Sequence, residues 1–308
     1  MRILITGPTS FSGAFIIEAL AKAGHDVVTT FTQSLDAYTG IRRLRAEKAL
    51  QHATAHMEVS FGDERFLSLL GEESFDVFCH HGAWTHDYNA IDYDFESAFA
   101  TNTRSMNRVC EALSKNGCQK IIVSGSIFEE GDELFSPHGL VKKMTFDTTK
   151  FYGTHFGMQV SKFVIPNPFG PLDNPKLIDY LGREWHAGRT PCIRTPLYVR
   201  DNIPVTLMAL GFVYWVENCP STVGTSSYAP AGYISTMGEF VERVAGELRR
   251  RLGLDCAVEM GAQTDFSQPM VLVNDTPIQH QFPEWDESGF WDQLASHQAY
   301  LQSLPKTS

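Results

Sequence analysis

Positive charge is scarce in this sequence. Lysine and arginine together number 25 against 36 aspartates and glutamates, which gives a formal net charge of −11. Nucleic acids and anionic membranes both bind basic surfaces, so neither is predicted as a partner. No apolar run approaches the roughly 20 residues of a membrane-spanning helix, and the sequence opens on a strand-like segment without a secretory signal. These absences predict a cytoplasmic protein.

Closely spaced cysteine pairs are also missing. The six cysteines are scattered, with no Cys-x-x-Cys spacing, which is typical of buried thiols in a reducing compartment. His80 and His81 stand side by side, but adjacent residues of a strand point to opposite faces of its sheet. We therefore predict no metal site, and interpret each histidine as core packing or as the lining of a ligand site.

The sequence does contain a regular alternation of strand-like and helix-like segments. The predicted strands are RILIT, DVVTT, MEVSFGD, FDVFCHH, QKIIVSGS and SKFVIPNP, and the predicted helices are GAFIIEALAKAG, ERFLSLLGE, DFESAFATNTRSMNRVCEALSKN and residues 139–156. Strands joined by crossover helices predict an α/β fold with a doubly wound, mostly parallel sheet over residues 1–170. The alternation weakens afterwards. Residues 171–308 are predicted to form a smaller α/β substrate-binding cap, from which some segments can return to the sheet.

The first loop is rich in glycine and lies between a strand and a helix. It runs from Thr6 to Gly13 and resembles TGxxGxxG, with Ser10 in place of the middle glycine. Glycines at this position let the backbone approach a pyrophosphate at a helix N-terminus. The pattern predicts dinucleotide binding by Gly7, Thr9, Ser10, Phe11 and Gly13. Two effects of Ser10 stay open, since its side chain can narrow the phosphate approach or add a hydroxyl donor.

The end of the second strand bears on the choice of cofactor. It reads TTFTQ, residues 29–33, without the carboxylate that would accept hydrogen bonds from the ribose of NAD. Arg42, Arg43 and Arg45 follow on a segment that can fold back towards a 2′-phosphate. This combination favours NADP over NAD, although a solvated basic helix face explains the arginines equally well.

Further motifs follow in order along the chain. They are Gly62-Asp63, His80-His81-Gly82-Ala83, Asn102 within a helix, Val123-Ser124-Gly125-Ser126, Pro166-Asn167-Pro168-Phe169-Gly170-Pro171 and Tyr198-Val199-Arg200-Asp201-Asn202-Ile203. In this order they resemble the extended short-chain dehydrogenase/reductase family, the NAD(P)-dependent nucleotide-sugar epimerases and dehydratases. That family has His-Leu-Ala-Ala where this chain has His80-His81-Gly82-Ala83, and Ser-Ser-Ser where it has Ser124-Gly125-Ser126. The resemblance implies a Rossmann-like fold, a homodimer, and hydride transfer on a bound sugar nucleotide.

The same resemblance assigns residues to the two ligands. For the cofactor it implies contacts from Asp63, His80, Gly82, Asn102, Lys142 and Pro166, and for the substrate it implies contacts from Asn167 and Arg200. Arg194 is added as a second arginine for the diphosphate, with a surface ion pair as the alternative for both arginines. Trp84 follows the fourth strand and lines either the sugar site or the core.

The catalytic residues that the resemblance implies are Ser126, His138 and Lys142. The family has Tyr-x-x-x-Lys on one helix face, and here the tyrosine position is His138. Three interpretations stay open: His138 is the acid/base, the chemistry is impaired, or another side chain supplies the proton. An imidazole needs less tuning than a phenol, because its ordinary pKa of about 6.5 lies closer to neutrality.

One departure from the family's pattern limits the reaction. Its 4,6-dehydratases carry Asp-Glu directly after the catalytic hydroxyl, where this chain has Ile127-Phe128. Dehydration is therefore disfavoured against reduction or epimerisation. The acidic run Glu129, Glu130, Asp132 and Glu133 is interpreted as a solvated loop. A long helix over residues 92–110 is expected to pair with the helix after Lys142 in a homodimer, unless both simply cover the sheet.

These observations predict an NAD(P)-dependent oxidoreductase or epimerase that acts on a nucleotide-activated sugar, through keto-sugar reduction or C4-type epimerisation. The alternative is a catalytically impaired or regulatory dinucleotide-binding protein of the same fold. The sequence leaves open which sugar and which nucleotide base are bound.

Overall fold

The computed structural model describes residues 1–88, 90, 92–129 and 136–303. The chain divides into two compact units. Unit 1 consists of residues 1–165 and 209–230, and unit 2 consists of residues 166–208 together with the chain from 231 onward. The sequence prediction placed the division at residue 170. In the structure the segment 209–230 is part of the first unit.

Unit 1 is built on a seven-stranded sheet in which every neighbouring pair is parallel. Its strands are β1 (Arg2–Thr6), β2 (Asp26–Thr30), β3 (Thr54–His56), β4 (Val77–His80), β5 (Lys120–Ser126), β6 (Gln159–Ile165) and β10 (Gly224–Tyr228). The order across the sheet is β10-β6-β5-β4-β1-β2-β3. The central strands are buried along nearly their whole length, as expected for a parallel sheet covered on both faces. The predicted doubly wound α/β fold is confirmed.

Helices lie between the first six of these strands in the described parts of unit 1. They are α1 (Phe11–Lys22), α2 (Gly40–Leu50), α3 (Glu64–Glu72), α4 (Phe95–Thr103), α5 (Met106–Lys115) and α6 (Pro137–His155). Apolar side chains of α3 and α5, among them Phe66 and Val109, pack with Leu4, Phe78 and Ile121 of the sheet in one core cluster. Burying such side chains is the main stabilising term for a domain of this kind.

The third strand is displaced from its predicted position. The prediction placed it at MEVSFGD, residues 57–63, whereas β3 covers Thr54–His56 and pairs with β2. Glu58 has a positive φ of 58°, a left-handed conformation that ends extended pairing. Val59 is buried and Phe61 is half-buried, but both lie outside any strand, so this prediction was wrong.

The long helix predicted over residues 92–110 is broken. Helix α4 ends at Thr103, α5 begins at Met106, and Ser105 between them has a φ of 51°. Gly62 lies against the break, since a Cβ atom on it would come within 1.9 Å of the Arg104 carbonyl oxygen. The helical periodicity of the two halves is real, but tertiary packing at Gly62 separates them.

Unit 2 contains the remaining elements. Its strands are β7 (Asn167–Phe169), β8 (Cys192–Ile193), β9 (Val199–Pro204), β11 (Pro230–Ala231, at the boundary), β12 (Tyr233–Thr236), β13 (Glu259–Met260), β14 (Val271–Leu272) and β15 (Thr276–Pro277). Its helices are α7 (Leu177–His186), α9 (Met237–Leu252) and α10 (Glu287–Ser303), and α8 (Val205–Asn218) runs from unit 2 into unit 1. Phe169 contacts Phe240, Phe290 and Trp291 in an aromatic core.

Within the described ranges, no helix combines the length and the apolar character that crossing a membrane requires.

Candidate functional site

The carboxyl ends of three neighbouring strands bring the predicted cofactor residues to one edge of the sheet. Strands β5, β4 and β1 are adjacent and parallel, so their last residues, Ser126, His80 and Thr6, lie along the same edge. The Thr6 hydroxyl oxygen accepts hydrogen bonds from the backbone N–H groups of His81 and Gly82, at 3.1 and 2.8 Å. Ligands of doubly wound sheets bind at this edge.

The glycine-rich turn is packed too closely for side chains. Gly7 has a φ of +78°, and a Cβ atom on it would lie 2.7 Å from the Gly82 Cα atom. A Cβ atom on Gly13 would lie 2.3 Å from the Gly7 carbonyl oxygen. The turn therefore needs glycine at both positions, and it holds the start of α1 against the loop that follows β4.

Ser10 is the N-cap of α1. Its hydroxyl oxygen accepts from the Gly13 N–H and donates to the Gly7 carbonyl, both at 2.9 Å. The hydroxyl is thus bound within the loop, which answers the question that the sequence left open. In the part of the chain that the structure describes, the N–H groups of Phe11 and Ser12 have no acceptor. Two donors at a helix N-terminus beside a close-packed glycine turn fit a dinucleotide pyrophosphate.

His81 was expected to pack in the core or to line a ligand site, and the structure gives it three hydroxyl partners that the sequence does not indicate. Its Nε2 atom lies 3.0 Å from the Ser10 Oγ atom and 3.1 Å from the Ser12 Oγ atom, and its Nδ1 atom lies 2.6 Å from the Ser124 Oγ atom. Burial, with a smaller contribution from the Lys142 charge, lowers the pKa of His81 to about 3. The ring is therefore neutral at pH 7 and joins the glycine-rich turn to the end of β5.

His80 has different partners. Its Nε2 atom lies 2.8 Å from the Asn102 carbonyl oxygen, and its ring stacks on Phe61 with the centroids 4.2 Å apart. Burial lowers the pKa of His80 to about 4. The Asn102 carbonyl lies in the last turn of α4, where helix carbonyls lack intrahelical donors. The break before α5 thus provides the acceptor for His80.

Asn102 also fixes the loop after β4. Its side-chain oxygen accepts from the backbone N–H of Trp84 at 2.8 Å. Trp84 is half-buried and packs against a small core cluster that includes Tyr93 and Val141. Asp63 is the N-cap of α3, where its carboxylate accepts from the N–H groups of Phe66 and Ser60.

Lys142 and Ser126 lie at the end of β5. The Lys142 ammonium is buried and donates a short hydrogen bond to the Ser124 carbonyl. The Ser126 hydroxyl oxygen accepts from the Phe128 N–H at 3.2 Å. Burial lowers the pKa of Lys142, and the Glu129 carboxylate opposes that effect. The end of β5 thus carries the Ser126 hydroxyl and binds the Lys142 ammonium of α6 through the Ser124 carbonyl.

His138 lies one helical turn before Lys142 on α6. Its side chain is buried, with the rings of Tyr88 and Tyr93 edge-on at centroid distances of 5.6 and 6.0 Å. Its Nδ1 atom has no hydrogen-bond partner among the residues that the structure describes. Burial, assisted by the Lys142 charge, lowers the pKa of His138 to about 4, so the imidazole is neutral at pH 7.

Glu129 is not in a solvated loop, and that interpretation was wrong for this residue. Its side chain is fully buried, accepts from the Ser126 N–H at 2.5 Å and forms an ion pair with Lys162 at 3.3 Å. A carboxylate this deep is tolerated because the Lys162 ammonium neutralises its charge and the Ser126 N–H donates to its Oε1 atom. The rest of the acidic run, Glu130, Asp132 and Glu133, lies outside the described residues.

A model of the NAD-dependent epimerase/dehydratase family matches residues 3–228. The chain belongs to this family. The resemblance inferred from the ordered motifs is thereby confirmed. The match covers all of unit 1 except its ends, including the glycine-rich turn, His81, Ser126 and Lys142.

Solved structures of epimerases and dehydratases share the fold of this family member. UDP-glucose 4-epimerase from Thermotoga maritima with UDP-glucose has 16% identity and a TM-score of 0.72, covering 98% of this chain and 99% of the other. UDP-glucuronic acid 4-epimerase from Bacillus cereus with UDP-glucuronic acid and NAD has 16% identity and a TM-score of 0.74, with 98% and 100% covered. A dTDP-glucose 4,6-dehydratase from Streptomyces venezuelae with NAD has 17% identity and a TM-score of 0.68, with 98% and 97% covered. A search of curated protein sequences returned no match.

The substrate residues predicted for this epimerase/dehydratase family member in unit 2 differ in how they are bound. Asn167 is exposed and donates to the Asn202 side chain at 2.6 Å, and Pro166 beside it is buried. Arg194 is exposed, and its guanidinium has no partner among the residues that the structure describes. Arg200 is buried, and its guanidinium donates to the carbonyls of residues 199, 269 and 270 and stacks on Tyr198.

The three arginines near the second strand also separate. Arg42 donates to the Thr9 hydroxyl at 3.2 Å and lies over the Tyr38 ring, so it does fold back to the glycine-rich turn. Arg43 is bound by Glu47 and the Leu35 carbonyl. Arg45 is buried over the Phe11 ring. One of the three therefore reaches the turn directly.

Proposed function

We propose that this protein is an NAD(P)-dependent oxidoreductase or epimerase that acts by hydride transfer on a nucleotide-activated sugar. One observation carries the proposal. The end of β5 presents the Ser126 hydroxyl and binds the Lys142 ammonium, and it lies at the same sheet edge as a glycine-rich turn that fits a pyrophosphate. The ligands named for the similar structures, UDP-glucose, UDP-glucuronic acid and NAD, support the ligand classes.

Each side chain of the site has a role in this proposal. The dinucleotide, when bound, supplies the nicotinamide that accepts or donates the hydride. The N–H groups of Phe11 and Ser12 would hold its pyrophosphate, and Lys142 its nicotinamide ribose. Ser126 would orient the reacting sugar oxygen with its hydroxyl.

His138 is proposed to exchange the proton of the sugar hydroxyl. Since its pKa is lowered to about 4, it is a neutral imidazole at pH 7, which can donate from one nitrogen and accept at the other. The unpartnered Nδ1 atom is a buried polar group that a ligand hydroxyl would satisfy. The same low pKa makes His138 a weak base, which favours slow turnover.

That weakness supports the second candidate, a protein of this family that binds dinucleotide and ligand without turnover. The edges of Tyr88 and Tyr93 enclose the imidazole in aromatic surroundings rather than beside a carboxylate that would raise its basicity. Both candidates require dinucleotide binding and differ in what His138 does.

NADP is proposed as the preferred dinucleotide. The end of β2 carries no carboxylate, and Arg42 lies at the turn beside Thr9, where its guanidinium can pair with a 2′-phosphate. The free cysteines, five of them buried, agree with the predicted cytoplasmic location. The homodimer stays a prediction.

The test compares the wild type with His138→Tyr and His138→Phe. If His138 is the acid/base, His138→Phe lowers kcat by about 10²–10⁴-fold, the range typical of a lost general acid/base. The measurement is epimerisation of UDP-glucose and UDP-glucuronic acid with NADP⁺ or NAD⁺, since the oxidised nicotinamide takes the hydride from the sugar carbon and returns it. The epimers have equal mass and are therefore separated by chromatography. Phenylalanine matches tyrosine in size and lacks only the hydroxyl. Dinucleotide affinity is the control, and it should stay unchanged in His138→Tyr and His138→Phe.

Three results would decide against parts of the proposal. An inert wild type with an active His138→Tyr variant favours the binding protein. Wild-type binding of neither NADPH nor NADH, measured by nucleotide fluorescence, contradicts the dinucleotide site itself. Tighter binding of NADH than of NADPH contradicts the NADP preference.

A further inference from the structure

A buried lysine, a buried glutamate and a partly buried second lysine lie together around residues 124–126. The Lys142 ammonium donates to the Ser124 carbonyl, and the Glu129 carboxylate accepts from the Ser126 N–H. Lys162 on β6 reaches Glu129 at 3.3 Å, and its ammonium lies 4.5 Å from the centroid of the Phe146 ring. Two buried charges and a third that is largely buried, all at one strand end, form a costly arrangement.

Gly125 makes room for this arrangement. A Cβ atom on Gly125 would lie 2.6 Å from the Glu129 Oε1 atom and 2.9 Å from the Lys162 Cδ atom. The sequence pattern that this strand end resembles is Ser-Ser-Ser, whereas the chain reads Ser124-Gly125-Ser126. The Glu129–Lys162 ion pair therefore occupies the space that a side chain at residue 125 would fill. The pair depends on glycine at this position.

Glu129 is the negative charge that faces Lys142. The other titratable groups around Lys142 are His138 on its own helix, His80 and His81 at the end of β4, and Lys162 on β6. The three histidines are neutral at pH 7, and Lys162 is a second cation. Without Glu129, this part of the described structure would hold the buried Lys142 ammonium and the partly buried Lys162 ammonium with no counter-charge.

We propose that Glu129, held in place by Lys162 and the Ser126 N–H, is the counter-charge that keeps Lys142 an ammonium ion when a dinucleotide covers the site. Glu129 is thus a positioning residue that acts through Lys142. The inference rests on the proposed function, because it assigns to Lys142 the binding of the nicotinamide ribose. An ammonium donates three hydrogen bonds, whereas a neutral amine donates fewer and binds ribose hydroxyls less tightly.

The arrangement makes the two members of the ion pair act in opposite directions on Lys142. The Glu129 carboxylate favours the charged amine, and the Lys162 ammonium disfavours it. Glu129→Gln keeps the shape and removes the negative charge, so Lys142 should lose its proton at a lower pH. Lys162→Met keeps the aliphatic stem and removes the positive charge, so Lys142 should lose its proton at a higher pH.

The experiment measures the dissociation constant of NADPH by fluorescence between about pH 6 and about pH 10. In the wild type, affinity falls where Lys142 loses its proton. We expect the inflection to move down by about one pH unit in Glu129→Gln and up by a similar amount in Lys162→Met. Lys142→Met should abolish the inflection, which identifies the group that titrates. General damage to packing would weaken binding at every pH and would not move the two inflections apart.

An inflection that stays in place in Glu129→Gln, or that moves the same way in both variants, overturns the inference. Failure of the proposed function gives a different result, since the wild type would then bind neither NADPH nor NADH. In that event the pH dependence of the NMR signal from the Lys142 ε-carbon, in isotope-labelled protein and assigned with Lys142→Met, tests the inference without a dinucleotide and without access of a reagent to the buried amine. The same opposite changes are expected there, and equal profiles would overturn it.

Discussion

Ser10 and His81 are two departures from the family's pattern that touch each other. The pattern has glycine at residue 10 and leucine at residue 81, and here the Ser10 Oγ and His81 Nε2 atoms lie 3.0 Å apart. The imidazole continues to the Ser124 hydroxyl, and the carbonyl of the same serine accepts from Lys142. A chain of hydrogen bonds thus connects the glycine-rich turn with Lys142 through the neutral His81 ring.

Replacing His81 by leucine, the residue of the family's pattern, should loosen this connection. His81→Leu leaves the Ser124 hydroxyl without its imidazole partner in a buried place, so the free energy of unfolding should fall by about 1–3 kcal/mol. NADPH affinity should fall by about tenfold because the turn is less well fixed. Urea denaturation and fluorescence titration measure the two effects.

The double variant with Ser10→Gly provides the control. Ser10→Gly alone loses an N-cap at a cost of only a few tenths of a kcal/mol, because glycine is itself tolerated there. If Ser10 and His81 act as a pair, the double variant should be more stable than the sum of the single changes predicts, by about 0.5–3 kcal/mol. Additive changes would show that the two departures are independent.

Residues that act through local spacing were predictable, and residues that act through distant partners were not. The glycine-rich turn and the spacing of His138 and Lys142 follow from their neighbours in sequence. His81 lies 71 residues from Ser10 and 43 from Ser124, and no local pattern shows which hydroxyls it meets. Glu129 was misread for the same reason, since its partner Lys162 lies on the next strand of the sheet.

At the scale of elements, the break between α4 and α5 depends on Gly62. Its φ of +71° and the 1.9 Å approach of a Cβ atom to the Arg104 carbonyl leave no space for a side chain. Gly62→Ala should therefore lower the free energy of unfolding by about 2–4 kcal/mol, from left-handed strain and a backbone clash. The broken helix would shift, and with it the Asn102 carbonyl that pairs with His80.

Gly71→Ala is the matched control, since Gly71 lies in helix α3 and a Cβ atom there meets nothing within 4 Å. Alanine is the better helix former, so this change should raise the free energy of unfolding by up to about 1 kcal/mol. Urea denaturation compares both variants with the wild type. Similar effects of the two substitutions would show that close packing at Gly62 is not what breaks the helix.

Edge strand β10 shows why some elements escape prediction from sequence. It reads GTSSY and is mostly polar, so neither its composition nor an alternation of apolar residues predicts a strand. It forms because it pairs in parallel with β6, and the Gln159 amide donates to the Ser226 hydroxyl. The apolar strands β1, β4 and β5, by contrast, were visible because their own residues form the core.

At the scale of the whole molecule, buried histidines make stability depend on pH. The pKa values of His80, His81 and His138 are lowered by burial to about 4, 3 and 4, against about 6.5 in an unfolded chain. Between these values the unfolded state binds protons that the folded state does not, so stability is fully present above pH 6.5 and falls as the pH is lowered. Asp201, whose pKa burial raises to about 6, and Glu129, whose pKa burial also raises, oppose this trend.

Three histidines against two carboxyls leave a net excess of about one to two protons on the unfolded chain near pH 5.5. The free energy of unfolding should therefore fall by about 1–3 kcal/mol for each pH unit between pH 6 and pH 5. In His81→Leu one of these protons is gone, so the slope should be smaller by about 1.4 kcal/mol per pH unit. Urea denaturation at several pH values measures both slopes. An unchanged slope in His81→Leu would mean that His81 binds a proton in the folded protein. That result would contradict the assignment of His81 as the neutral ring between the glycine-rich turn and Ser124.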